Sequence, residues 1–474
     1  MKTYDLIAIG SGTPFNILTR LVREGLELKV AMIDKDPIGG ICLTRGCIPS
    51  KILLYPAELV REQEKWHRFG ISGKIDHIDF KKIMERTRSF ITPKVERKRQ
   101  FFSEQKQMDY YTGIAEFSAP YTLKVGEETI KAEKILLCLG SEPTIPPIQG
   151  LNNIPYQTNK TIFNLKELPE SICFVGGGYI AAELGHFFAA IGSEVTIIGR
   201  NPQFIPGEEP EVSALAEKEL SKHLTIHTGY EVRTIKEPLR GKKKLVAVKT
   251  DGQKQIEIVT EEVFIAAGRR SNSNLLHPEK SGIKTDKYGW IIVNEQLETT
   301  QSNIWAFGDC TGRYLFKHVA LYEMEIVYQN AIYDKKVKVD YRAVPHAVFT
   351  YPEIGSVGLK QKEAVERYGE ENIFIGFHKY QDVVKGQAMG VEDKDYFVKV
   401  LLEKNTRKVL GAHIIGPEAS VLIQEVINLM YAPSQNADLI LNAMYIHPAL
   451  PEVVQRALRF TKTIEDYQEM FVAR

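Results

Sequence analysis

The sequence predicts an α/β protein made of two repeated parallel units and a separate C-terminal α+β domain. Two segments spell the same order of apolar strand, glycine turn, helix and return strand: YDLIAIGSGTPFNILTRLV with LKVAMID, and SICFVGGGYIAAELGHFFAAIG with EVTIIG. Beyond Pro345 the grammar changes. There FVKVLLEKNTRKVLGAHIIG reads as two strands about a polar turn, and residues 419–430 as an apolar helix. The length, 474 residues, is that of about three ordinary domains.

Composition bounds the class. With 43% hydrophobic and 26% charged residues the chain is neither disordered nor fibrous. Lys+Arg 61 against Asp+Glu 60 leaves a formal charge of +1, which gives a nucleic acid no electrostatic footprint. No apolar run approaches the ~20 residues of a membrane helix. A strand-like run at residues 4–9 stands where a signal peptide would be. These features predict a soluble, cytoplasmic enzyme with neither a membrane nor a nucleic-acid partner.

In each repeated unit the strand leads straight into glycines and a helix follows, the context a dinucleotide fingerprint requires. Glycine permits the tight turn, backbone N–H groups approach a pyrophosphate, and the helix N-terminus stabilises its charge. The units are therefore Rossmann-like. The first carries Gly10 and Gly12 but has Phe15 at the third glycine position, and the second carries Gly176 and Gly178. The proline-rich residues 141–150 read as a connector and 271–281 as a polar loop. The charge run at 94–99 (KVERKR) reads as a solvated helix face. No His/Cys cluster has metal-ligand spacing.

Five cysteines cannot form a structural disulfide framework in a chain of this length. Cys138 and Cys173 lie in apolar runs and read as packed core, while Cys310 is isolated. Cys42 and Cys47 differ, because they stand together in GGICLTRGCIPSK, residues 39–51. On an ideal helix of 3.6 residues per turn they would diverge by about 140°. To bond, the first must sit at an irregular helix start, with Gly39, Gly40 and Gly46 giving the backbone freedom. A helix N-terminus would also stabilise a thiolate there.

That string, with the two fingerprints, resembles the FAD-dependent pyridine nucleotide–disulfide oxidoreductases. The resemblance continues through IWAFGDC, YLFKHVALYE and MYIHPALPEVV, and so covers essentially the whole chain. Within the family the chain is most similar to mycothione reductase, then dihydrolipoamide dehydrogenase. The resemblance implies an FAD-binding domain over 1–150 and 273–345, an NAD(P)-binding domain over 151–272, and a dimerisation domain over 346–474. It implies that Gly10 and Gly12 cradle the FAD pyrophosphate, that Asp34 binds the adenosine ribose and that Asp309 binds the ribityl chain. Lys51, paired with Glu183, would stand beside the reactive flavin nitrogen, and Tyr179 would gate the nicotinamide pocket. Cys47 would be the flavin-proximal thiol and Cys42 the interchange thiol. His447 with Glu452 would be the acid–base that the second subunit of a homodimer places against the disulfide.

Two positions depart from the family pattern. Phe15 replaces a small residue, which bears on local packing. Gly199, followed by Arg200, replaces the acidic residue expected for NAD, and an arginine there suits the 2′-phosphate of NADP. The implied activity is reduction of a small disulfide by NADPH, with NAD possible as cofactor. The alternatives are dihydrolipoyl oxidation and, further off, mercuric ion reduction, which needs a second cysteine pair where none follows Cys310. A flavoprotein serving only as a structural partner in a larger complex would have no need of Cys42, Cys47, His447 and Glu452.

Overall fold

The computed structural model describes residues 1–472, organised on three main sheets. In the first, Met108–Thr112, Val30–Asp34, Lys2–Ile9 and Glu128–Leu137 run parallel in that order. The hairpin Ala115–Ala119 and Thr122–Val125 extends it antiparallel. A distant strand, Ile304–Ala306, returns to pair with the end of Glu128–Leu137. Leu6, Ile7 and Ala8 are fully buried on alternate faces, which is why the strand reads as an unbroken apolar run. Leu6 and Ala8 pack under the helices Pro14–Arg23 and Lys317–Tyr333, and Ile7 packs on the other face with Phe117 and Leu123.

The second sheet is wholly parallel, in the order Thr225–Thr228, Glu194–Gly199, Ser171–Val175, Glu262–Ile265. Its helix, Tyr179–Ile191, is apolar nearly all round because it is covered on several sides. Phe187 and Phe188 share a core with Leu53, Leu54 and Ala57 of the helix Cys47–Gln63. This packing brings the starts of the two helices side by side. The third sheet is antiparallel, in the order Pro345–Val348, Glu353–Gly358, Val409–Gly416, Phe397–Glu403, Ile373–Lys379, Thr461–Lys462. The helices Ala419–Tyr431 and Pro451–Arg459 bury Val426 and Val454 in the core that this sheet shares. Among the described residues no helix is long and apolar enough to cross a membrane.

Three local expectations change. The connector at 141–150 contains a short strand, Ser141–Pro143, paired with Arg269–Ser271. The polar stretch 271–281 folds into two 3-10 turns, Ser273–Leu276 and Pro278–Ser281, and Ser271, Ser273 and Ser281 are buried. Local bonds hold two of these hydroxyls, with Ser271 Oγ accepting the Ser273 N–H at 3.1 Å and Ser273 Oγ donating to the Gly289 carbonyl, so polar composition concealed a packed crossing. In the helix Phe80–Glu104 the run 94–99 is not all solvated. Lys98 is half-buried with its ammonium 3.4 Å from the ring centroid of Phe15.

Candidate active site

The cysteines sit across a break between two helices, Gly40–Arg45 and Cys47–Gln63. Cys42 follows an irregular helix start, with Gly39 and Gly40 at φ +118° and +68°, and Gly46 breaks the chain again between the two cysteines. A Cβ on Gly46 would stand 2.9 Å from the Ile41 carbonyl oxygen, so only glycine lets the chain fold back this tightly. Cys42 lies inside the short helix and Cys47 is the first residue of the long one.

The two thiols are not equivalent. A hydrogen bond from Cys42 brings the Cys47 thiol down to about 6, with help from the Lys51 ammonium and against the opposing effects of burial and the Glu183 carboxylate. The same bond, reinforced by burial, pushes Cys42 up. Both shifts favour the thiolate at Cys47 and the protonated thiol at Cys42. Lys51 is fixed by Glu183, whose carboxylate oxygens lie 2.8 and 2.7 Å from its Nζ. Glu183 is buried and also accepts the Phe349 N–H at 3.0 Å.

One cavity joins this pair to both repeated units. It is lined by Gly10, Gly12, Asp34, Cys42, Cys47, Lys51, Tyr179, Glu183 and Asp309. At its first turn Gly10 has φ +101°, and a Cβ there would lie 2.1 Å from the Cys138 carbonyl oxygen. Asp34 accepts the Ser11 N–H at 2.7 Å and the Ser11 hydroxyl at 2.6 Å, tying the return strand to the turn. Asp309 accepts from Ser141 Oγ at 2.5 Å, and Arg269 Nε is 3.8 Å from it. Phe15 packs into an aromatic cluster, 5.1 Å from Phe101 and 6.0 Å from Phe102 between ring centroids. That cluster accommodates the bulk where a glycine is usual.

Other chosen residues stand apart. Gly176 and Gly178 form the turn before the helix Tyr179–Ile191, and Arg200 lies exposed just past the strand Glu194–Gly199. His447 and Glu452 do not line the cavity of their own chain. They pair with each other, Nδ1 to Oε1 at 3.0 Å, and Glu452 also accepts the Ala449 N–H at 3.1 Å. The His447 hydrogen bond holds the Glu452 carboxyl below its usual range. The imidazole is 64% exposed and is flanked by the exposed Met444 and Ile446.

Three cavity residues escaped the reading of the sequence. Arg269 donates to Ser141 Oγ at 2.6 Å and to its carbonyl at 2.8 Å. Lys317, inside the YLFKHVALYE segment, lines the cavity as a cation. Cys138, expected in the core, is only partly buried and lines it too, while Cys173 is fully buried as expected.

The family model of pyridine nucleotide-disulphide oxidoreductase matches residues 4–329, and that of its dimerisation domain matches residues 344–458. The chain belongs to this family. Its relatives include mycothione reductase of Mycobacterium tuberculosis, 33% identical over 470 residues that span 97% of this chain and 99% of that one. Dihydrolipoyl dehydrogenase of Synechocystis is 32% identical over 473 residues, covering 96% of this chain and 98% of that one. Among solved structures, the Cu(II) complex of the HOCl-induced flavoprotein disulfide reductase RclA from Escherichia coli superposes with a TM-score of 0.84 at 26% identity, covering 97% of this chain and 99% of that one. The oxidoreductase is of class I, FAD-dependent and driven by or producing NAD(P)H. It carries the family's dimerisation domain.

The cavity suits FAD chemically. The helix Pro14–Arg23 opens toward it with no side-chain cap and no acidic residue in its first turn, which leaves N–H groups for a diphosphate. The buried side-chain oxygens of Asn159 and Asn272, two lining residues, have no protein partner.

Proposed function

We propose that this oxidoreductase passes electrons from NADPH through FAD and the Cys42–Cys47 pair to a small disulfide, in the manner the name of its mycothione reductase relatives suggests. The observation that carries the reading is the cysteine pair across the helix break at Gly46, lining one cavity with Lys51 and its Glu183 partner. Residues 1–150 with 273–345 hold FAD, 151–272 hold the nicotinamide cofactor, and 346–474 form the homodimer. FAD, when bound, supplies the two-electron relay between nicotinamide and dithiol.

The thiols do the rest. Cys42 loses its proton to His447 of the partner subunit, and its sulfur attacks one sulfur of the substrate disulfide. A Cys42–substrate disulfide forms, and the departing thiolate takes the proton back from the imidazolium. Cys47 thiolate then attacks Cys42 sulfur, closing the Cys42–Cys47 disulfide and releasing the second substrate thiolate. Glu452 keeps the imidazole in the tautomer that presents a free nitrogen. The exposure of His447 on its own chain, among exposed apolar residues, supports its use across a two-fold interface. Lys51, held by Glu183, keeps positive charge beside Cys47. A reducing compartment such as the cytoplasm suits a working dithiol.

Arg200 supports NADP. It is exposed, makes no ion pair among the described residues, and follows Gly199, where a Cβ would press within 3.1 Å of Gly177 Cα. The similarity to dihydrolipoyl dehydrogenase favours a second reading, the same steps run in reverse on dihydrolipoamide.

One panel decides. NADPH oxidation is followed with mycothione, glutathione disulfide, coenzyme A disulfide, cystine, Hg(II) and Cu(II), and NAD(P) reduction with dihydrolipoamide. Turnover with a low-molecular-weight disulfide supports the proposal. Turnover only with dihydrolipoamide installs the second reading, and turnover only with a metal ion rejects both.

A further inference from the structure

Lys317 is a cation that the thiol chemistry does not use. It is the first residue of the helix Lys317–Tyr333, whose cap residue Phe316 offers no side-chain bond and whose first turn holds no acid. Its ammonium donates to Thr13 Oγ1 at 2.8 Å, and Thr13 immediately precedes the helix that follows the first glycine turn. Both residues line the cavity. Among the described residues no carboxylate pairs with Lys317. A second lysine stands nearby: Lys98 rests on the ring of Phe15 in the helix after this turn, is also without a carboxylate partner, and feels the charge of Lys317. Burial brings Lys98 down to about 8. Two helix N-termini and the Lys317 ammonium therefore meet at Thr13, with Lys98 near enough to feel that charge, an arrangement that a bound anion would balance.

We propose that Lys317 binds the diphosphate of FAD directly, from the late segment of the chain, and that Lys98 adds to the field that holds it. The inference rests on FAD occupying this cavity. It assigns to Lys317 a role outside the glycine fingerprint. It also means that the cofactor joins the helix Lys317–Tyr333 to the first glycine turn, two parts of the chain far apart in sequence. Because Phe15 replaces the third glycine, this added charge would secure an anion at a turn built with a bulkier residue.

The test is a titration of the stripped full-length protein with FAD, followed by quenching of flavin fluorescence at low and at high salt. Lys317→Met should weaken FAD binding about 10- to 100-fold at low salt, and its affinity should fall less than that of the unaltered protein as salt is raised. Lys317→Arg should recover most of the affinity. Lys98→Met should cost less than Lys317→Met, with the same loss of salt sensitivity. If Lys317→Met retains its fold by circular dichroism and binds FAD with unchanged affinity and salt dependence, the proposal is overturned. If the unaltered protein takes up no FAD at all, the cofactor assignment fails and the proposal fails with it.

Discussion

Lys51 Nζ stands 2.7 Å from Glu183 Oε2, and this contact joins the helix that starts at Cys47 to the helix that starts at Tyr179. A carboxylate from the second repeated unit therefore fixes the cation beside the thiolate of the first. Glu183 is nearly fully buried, and no other cation pairs with it among the described residues.

Lys51→Met should strand that carboxylate. The expected loss of stability is about 2 kcal/mol, below the ~3–5 kcal/mol of a fully buried pair, because solvent screens a lysine side chain that is 35% exposed. A urea unfolding midpoint measures it. The variant should also raise the apparent pKa of Cys47, since the ammonium helps to hold the thiolate.

The reduced enzyme should show a long-wavelength thiolate-to-flavin band that fades as pH falls through about 6. The sign follows from the shift, because a thiol brought down from 9.0 to about 6 is a thiolate at neutral pH and regains its proton only below that range. Cys47→Ser should abolish the band and Cys42→Ser should leave it or make it permanent. Persistence of the band in Cys47→Ser would reverse the roles assigned to the two sulfurs.

Neither subunit should work alone. Cys42→Ser and His447→Ala homodimers should each be inactive, and exchanging their subunits should restore part of the activity, because one of the two hybrid sites is then intact. Zero recovery after verified exchange would contradict a site shared across the dimer.

NADPH should be preferred to NADH in kcat/KM. Arg200→Ala should lower the value for NADPH about 10-fold, the worth of one charge-assisted hydrogen bond, and leave that for NADH nearly unchanged. A higher kcat/KM with NADH in the unaltered enzyme would refute the preference.

Much was legible in the chain because it is written in local grammar. Glycine turns after apolar strands revealed both repeated units, and the alternation beyond Pro345 revealed a third kind of domain. The string around Cys42 and Cys47 pointed to dithiol chemistry through its resemblance to one family. Local grammar failed where burial depends on what packs from elsewhere. The serines at 271, 273 and 281 read as loop, yet the fold buries them. Cys138 reads as core, yet it lines the cavity because the turn at Gly10 crosses its carbonyl.

The sequence by itself determined the three-part α/β and α+β architecture and the residues able to do redox chemistry, because strand periodicity, turn residues and cysteine spacing are properties of neighbours along the chain. Only the tertiary structure set the electrostatic difference between the two sulfurs. That depends on the fold breaking at Gly46 to start a helix at Cys47, and on Lys51 being held by a carboxylate from another unit. Tertiary structure alone also set Lys317 against Thr13 and left His447 exposed and outside the lining of its own chain's cavity. Charge acts through space over a few ångströms, and residues that far apart in a chain come within that reach only when the sheets and helices have packed.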